Sequence, residues 1–434
     1  MSVLSYLISQ STTLNSPLQG PTLVRHPQNK PIHIKLSKTF AVTGSTQYFI
    51  IGSNNITIEG CKNSDIIVSY SDGYNLPYPG LIRNGTNGNV PPVLDPEVIC
   101  AFDNLIVKHI RINTAVSINN PLLVSLKNNH GWIGQQYFGI GAKNVIIKEC
   151  INNAIISNNC GGIVGNNSTC ILIKCVNNGI IGSASGGCIG SYANGTRAFK
   201  CKNMAIATIS GGSGGIFGVN SVGCSAKRCK NEATINGNQS GGIFGIGLSG
   251  IHMNNATGCK NSGIIQGRNA GGIFGGSQDT SSAYKCYNTS NALFGNGIFG
   301  GGASRCIAEA CFNTGTISKD YGGIFGNSFN CTAQNCYYSG TPLPTNAYGI
   351  MGSIFMGDDI GNVVDHCYVS SSLQVATNNP ISAPLSGIVI TKDVSGTAEA
   401  TGIWKDRKAN KYLIGTDGSI WIRRRRNQPY KLNI

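Results

Sequence analysis

Gly271-Gly-Ile-Phe-Gly275 is a phrase that this chain repeats. Close copies begin at Gly161, Gly186, Gly214, Gly241 and Gly322, and degraded ones at Asn296 and Tyr348. Ten to fifteen residues before each copy stands a cysteine, usually followed two positions on by an asparagine. These cysteines are Cys150, Cys175, Cys201, Cys229, Cys259, Cys286, Cys311 and Cys336, advancing by 25, 26, 28, 30, 27, 25 and 25 residues. A sustained period of this length marks stacked supersecondary units, none of which can bury its apolar face alone.

Within one period the pattern is that of strands and corners. Cys331-Thr-Ala-Gln-Asn-Cys336-Tyr alternates small or apolar residues with polar ones, as a strand lining a packed interior does. In the neighbouring copy, Gly315-Thr-Ile-Ser318 reads as a second short strand and Tyr321-Gly-Gly-Ile-Phe-Gly326 as a third. The paired glycines are expected to supply positive φ and close backbone approach at the corner. No helical period is present. The pattern therefore predicts an all-β, right-handed parallel β-helix of ~25–30-residue coils with terminal caps, its coils ~4.8 Å apart. Ladders of Ile, Cys and Asn run along its axis.

Looser copies extend the stack upstream, at Gln47–Asn63, Phe102–Asn113 and Ala142–Cys150. Residues 1–45, with four prolines, read as an N-terminal arm or cap, and 46–375 as the solenoid. The Pro-, Gly- and Asn-rich stretch at about 71–96 reads as a loop thrown out from a coil. Residues 376–434 hold two of the three tryptophans and read as a C-terminal cap of short antiparallel strands, which a solenoid needs to cover its last edge.

Only 12% of residues are charged, yet 33 Lys and Arg against 18 Asp and Glu leave +15. That excess suits anionic partners such as nucleic acid or an acidic glycan and is silent on fold. No run approaches the ~20 apolar residues of a membrane-spanning helix, and Met1–Gln10 lacks the basic start of a signal peptide.

Seventeen cysteines is an odd number, so one at least has no partner within the chain. The pairs Cys170/Cys175, Cys224/Cys229, Cys306/Cys311 and Cys331/Cys336 lack the close C-x2-C spacing of a zinc site. An offset of five puts their two sulfurs on opposite faces of a continuous strand. The expectation is that the repeat cysteines point inward, stack on their counterparts and act as small apolar residues. No metal or cofactor is expected.

The phrases Cys311-Phe-Asn-Thr-Gly-Thr-Ile-Ser and Gly322-Gly-Ile-Phe-Gly326 resemble the GLUG-type repeat, and Ile420-Trp421 followed by Pro429-Tyr-Lys-Leu432 resembles the closure that follows such repeats. The resemblance covers roughly residues 145–370 and the tail. Such repeats occur in bacterial surface adhesins, in large surface proteases and in uncharacterised proteins of giant DNA viruses, whose Asn-, Ile- and Lys-rich style this chain shares. The protease metal motif His-Glu-x-x-His is missing. The resemblance implies a surface-displayed adhesive or structural solenoid, and it supplies no catalytic residues.

Parallel β-helices also host glycan-cleaving enzymes, which need two carboxylates at a set separation. The best candidates are Asp358 and Asp359, followed by Asp365 and His366, but Asp-Asp beside Gly is ordinary turn chemistry. Arg423, Arg424, Arg425 and Arg426 form the sharpest charge feature, a candidate site for phosphate or sulfate groups. The overall expectation is a non-enzymatic structural or adhesive rod, part of a virion assembled in the host cytoplasm or of a cell surface. Its expected partners are other virion or surface proteins and further copies of itself, with an anionic glycan or nucleic acid as ligand. A pectate-lyase-like glycan enzyme and a DNA-contacting virion protein are the alternatives.

Overall fold

The computed structural model describes residues 6–69, 76–84, 101–114, 124–204, 206–248, 250–318, 321–338, 350–352, 362–365 and 367–369, with strand segments at 389–390, 405–407, 412–414, 420–422 and 431–432. Among them there is no helix. The chain winds into a parallel β-solenoid of about 11 turns. Each turn pairs in register with the next: Ala198 faces Ala226, which faces Ala256 and then Ala283.

A representative coil runs through Ser225–Lys227, a corner at Arg228, Lys230–Asn231, Thr234–Ile235 and the Gly241–Gly245 phrase. The strands are shorter than the alternation suggests. The Cys331–Tyr337 run divides into Thr332–Gln334 and Tyr337–Tyr338, separated by Asn335 at φ 51°. The same left-handed corner stands at Lys174, Lys200, Arg228, Lys285 and Ala310. Its N–H is still satisfied, because it donates to the next coil: Lys200 N to Lys227 O at 2.9 Å, and Arg228 N to Thr257 O at 2.8 Å. This corner corrects the reading of the cysteine pairs. Cys170 and Cys175, like Cys224 and Cys229, are both buried, because the turn between them resets the alternation of faces.

The glycine phrase also departs from expectation. Its glycines are absent from the positive-φ positions, which fall mainly to Asn, Lys, Arg and other side chains at the corners. Close approach alone requires them. A Cβ on Gly271 would meet Phe274 O at 2.1 Å, and one on Gly242 would meet Gly272 O at 2.2 Å. The phrase lays Ile273 and Phe274 side by side in the core, both fully buried. The rings of Phe217, Phe244, Phe274, Phe299 and Phe325 stack coil upon coil at 4.6–4.9 Å, within 11° of parallel.

The parallel stack also takes in segments that lack the repeated phrase. Within the residues read as an arm, Tyr6–Ile8 and Thr22–Val24 stack on Phe49–Ile51, and Thr12–Leu14 and Ile32–Leu36 stack on Ile56–Val68. Their inward Ile32, Ile34 and Leu36 belong to the same core as the later coils. Inside the proline-rich stretch, Ile82–Asn84 pairs with Phe49–Ile51 and Tyr78 is fully buried, so 76–84 returns to the stack. Near the C-terminus four short strands, Lys405–Arg407, Tyr412–Ile414, Ile420–Ile422 and Lys431–Leu432, pair antiparallel.

Candidate binding face

The interior columns bind one coil to the next. Cys150, Cys175, Cys201, Cys229, Cys259, Cys286, Cys311 and Cys336 are all buried, and Cys367 continues their column. Each of the sixteen described cysteines is a free thiol, and only Cys61 is exposed. The column thiols do more than fill space, since all but Cys201 reach back one coil to a carbonyl oxygen. Cys229 Sγ lies 3.4 Å from Ala198 O, Cys286 Sγ 3.2 Å from Ala256 O, and Cys336 Sγ 3.3 Å from Ala308 O. Burial pushes the thiols of Cys175, Cys229, Cys286 and Cys311 well up, so they stay protonated and act as weak donors.

The second set, Cys170, Cys224, Cys306 and Cys331, sits in a column where Thr196, Asn254, Ser281 and Asn362 take the same place. At most positions the backbone N donates to the next side chain, as Cys170 N does to Thr196 Oγ1 at 3.3 Å and Cys306 N to Cys331 Sγ at 3.3 Å. A modest acceptor suffices there, which explains why only some coils carry the second cysteine.

Asn152, Asn177, Asn203, Asn231, Asn261, Asn288 and Asn313 form a fully buried amide ladder. Each Nδ2 donates to Oδ1 of the next at 2.7–2.8 Å. Most also bond the backbone two residues on, as Asn231 does with both polar groups of Ala233. That local bond ends the strand as an Asx-turn does. The ladder stops where Tyr338 replaces the next asparagine, and Asn313 Nδ2 is left without a partner.

Outside, the N-terminal half carries a polar network that sequence spacing conceals. Glu59 accepts from His33 Nε2 at 2.8 Å, from Lys108 Nζ at 3.1 Å and from His109 Nδ1 at 3.1 Å. His109 Nε2 continues to Glu149 at 3.1 Å, and Lys174 Nζ lies 2.9 Å from the same carboxylate. Burial alone would raise Glu59, but the hydrogen bonds from Lys108 and His109 hold it below the usual range; the bond from Lys174 does the same for Glu149. His109 joins carboxylates that its place in the sequence does not reveal. Its partners lie 50 and 40 residues away, across coils of unequal length.

A group of unneutralised cations among the described residues lies next along the same surface. Lys200, Arg228 and Lys285 occupy the corner, Lys202, Lys230 and Lys260 the second position after it, and Arg197 and Lys227 the strand before it. Lys230 is paired with Glu232. Arg197, Lys200, Lys202, Lys227, Arg228 and Lys285 have no carboxylate partner among the described residues. The aromatic rings on this face support cations: Lys200 Nζ stands 5.0 Å from the Phe199 ring, Lys285 Nζ 4.6 Å from Tyr284, and Lys260 Nζ 5.4 Å from Tyr287. Tyr287 also stacks on Phe312 at 4.8 Å. Sequence inspection placed the charge focus in the arginine run instead, because these cations adjoin only once the coils are in register.

Asp358, Asp359, His366 and Arg423–Arg426 lie outside the described residues. Asp365 ends the strand Val363–Asp365, opposite Gln334. Among the described residues, no group of three or more His, Cys, Asp or Glu is placed to hold a metal ion, and no helix is long and apolar enough to cross a membrane.

No protein-family profile and no curated protein matches the chain. Solved structures similar to it include the following two. One is a candidate immunoglobulin A1 protease from Bacteroides ovatus, 14% identical, covering 75% of this chain and 84% of its own, at a TM-score of 0.29. The other is PfbA, a surface adhesin of Streptococcus pneumoniae, 9% identical, covering 92% of this chain and 91% of its own, at a TM-score of 0.32.

Proposed function

We propose that this chain is a structural and adhesive β-solenoid of a particle or cell surface. The GLUG-type phrases and the Asn-, Ile- and Lys-rich composition favour a giant-virus virion as its setting. One observation carries the reading: a stack bonded coil to coil in its interior presents outward columns of like side chains, and on successive coils these columns are basic. Such a surface meets an extended partner at many equivalent points, which suits attachment and assembly better than the chemistry of a single bond. In the same reading, 376–434 is the terminal cap, Arg423–Arg426 is an anion-binding edge of that cap, and copies of the chain associate with one another.

Mass spectrometry of purified particles, run beside infected cells under non-reducing conditions, tests the setting. Enrichment in particles is expected. Its absence from particles, with soluble monomer in cells or medium, would overturn the virion assignment.

A further inference from the structure

We infer that the basic columns form a binding site for a linear acidic polysaccharide lying along the solenoid axis; this rests on the adhesive reading above. Lys202, Lys230 and Lys260 repeat in register on three consecutive coils, and Lys200, Arg228 and Lys285 stand at the adjoining corner, where Gly258 interrupts the column between Arg228 and Lys285. At ~4.8 Å per coil, the cations from Lys200 to Lys285 extend over about 14 Å of axis. Among the described residues from Lys174 to Lys285 the carboxylates are Glu232, paired with Lys230, and Asp279, paired with Arg305.

The stripe is also narrow. The next outward column, Asn178, Met204, Glu232, Ser262 and Thr289, brings no cation, and beyond it stand the exposed Ile180 and Ile264. A site three side chains wide matches one thin polymer more closely than a duplex, whose major groove alone is ~12 Å across. Single-stranded nucleic acid is thin enough, but it gains much of its affinity by stacking bases on open aromatic faces. Here those faces are engaged, Tyr287 by Phe312 and Phe199 and Tyr284 by lysine ammonium groups. What remains is a thin chain read through its charge, with sulfate or carboxylate groups repeated along it. Lysine outnumbers arginine on the stripe, and lysine meets such groups as a point charge without imposing a bidentate geometry.

The test compares the full chain with Lys200→Glu/Arg228→Glu and with a control of equal charge change, Lys30→Glu/Lys143→Glu, after all three show the same melting. The probes are heparin, polygalacturonate, an uncharged glucan, single-stranded DNA and duplex DNA. Wild type and control are expected to bind an acidic polysaccharide most tightly, and the stripe variant at least tenfold more weakly, with its salt slope reduced by about one per lost contact. Tightest binding to either DNA would overturn the proposal. So would equal loss in the control, since the charge would then act without a site. Failure of every polyanion would also overturn it, while leaving surface location to be decided by the particle measurement.

Discussion

One interior column passes through two regions of the molecule and changes chemistry between them. In the N-terminal turns it is filled by Phe40, Ile66 and Ile112. From Asn152 to Asn313 the same column is made of amides, and at Tyr338 it becomes aromatic again. The strands change with it: Ile56–Val68 and Ile106–Thr114 are long, whereas the repeat strands have two or three residues. An aliphatic rung stabilises by the surface it removes from water, about 25 cal/mol per Å², and demands only shape from its neighbour. An amide rung demands a donor above and an acceptor below, and leaving either unmet costs roughly 1–3 kcal/mol. The first region tolerates variation rung by rung, and the second imposes identity.

The largest separation between the regions is expected from alanine at glycine. Gly242→Ala drives a methyl into the backbone of the next coil and is expected to cost at least about 4 kcal/mol. Gly44→Ala, where a Cβ meets nothing within 4 Å, is expected to fall within about 0.5 kcal/mol of wild type. Denaturant titration reads both, and equal losses would remove close approach as the reason for the phrase.

Next comes the column itself. Asn231→Leu strands Asn203 Nδ2, Asn261 Oδ1 and the backbone of Ala233, for about 3 kcal/mol. Ile66→Val is expected to cost about 1 kcal/mol. Asn313→Leu is expected to cost less than Asn231→Leu, because its Nδ2 already lacks a partner. If both asparagines cost the same, the ladder does not act through its bonds.

Acid sharpens the contrast at the junction of the two regions. Burial, with Lys127 and Arg83 nearby, depresses His130 to about 4, while its ring N–H donates to Pro79 O at 2.9 Å. The unfolded chain takes up this proton near pH 6.5 and the folded chain near 4. Stability from this residue is therefore complete above 6.5 and falls by roughly 2–3 kcal/mol as pH drops to 4. His130→Gln should flatten that part of the stability profile; an unchanged slope would exclude His130 as its source.

The smallest effect is expected in the thiol column. Cys229→Ala loses one weak hydrogen bond and a sulfur's volume, about 1 kcal/mol. In the native protein, iodoacetamide should modify Cys61 and spare Cys150 through Cys367; rapid labelling of the column would mean that the coils open readily.

The architecture was legible because its signal is written many times. The period, the inward Ile and Cys and the trailing Asn each recur, so the alignment of one coil on the next follows from counting. The corners were less legible: Lys174, Arg228 and Asn335 are ordinary polar residues in a sequence, and only their backbone places them at a bend. The first turns were hidden by the opposite cause, since Ile32-His-Ile-Lys-Leu36 alternates without carrying the repeated phrase. The basic face was illegible in a further sense. Lys200, Arg228 and Lys285 stand 28 and 57 residues apart in the chain, and a run such as Arg423–Arg426 attracts the eye instead.

The amide ladder makes the length of the molecule a separable variable. Asn231 meets Asn261 as Asn261 meets Asn288, by the same bond at 2.7 Å. Excising one complete turn between those levels would bring Asn231 against Asn288 with both groups still satisfied, and duplicating one would add a level on the same terms. Selection can therefore count turns, lengthening or shortening the rod in whole steps of the repeat, without redesigning either end.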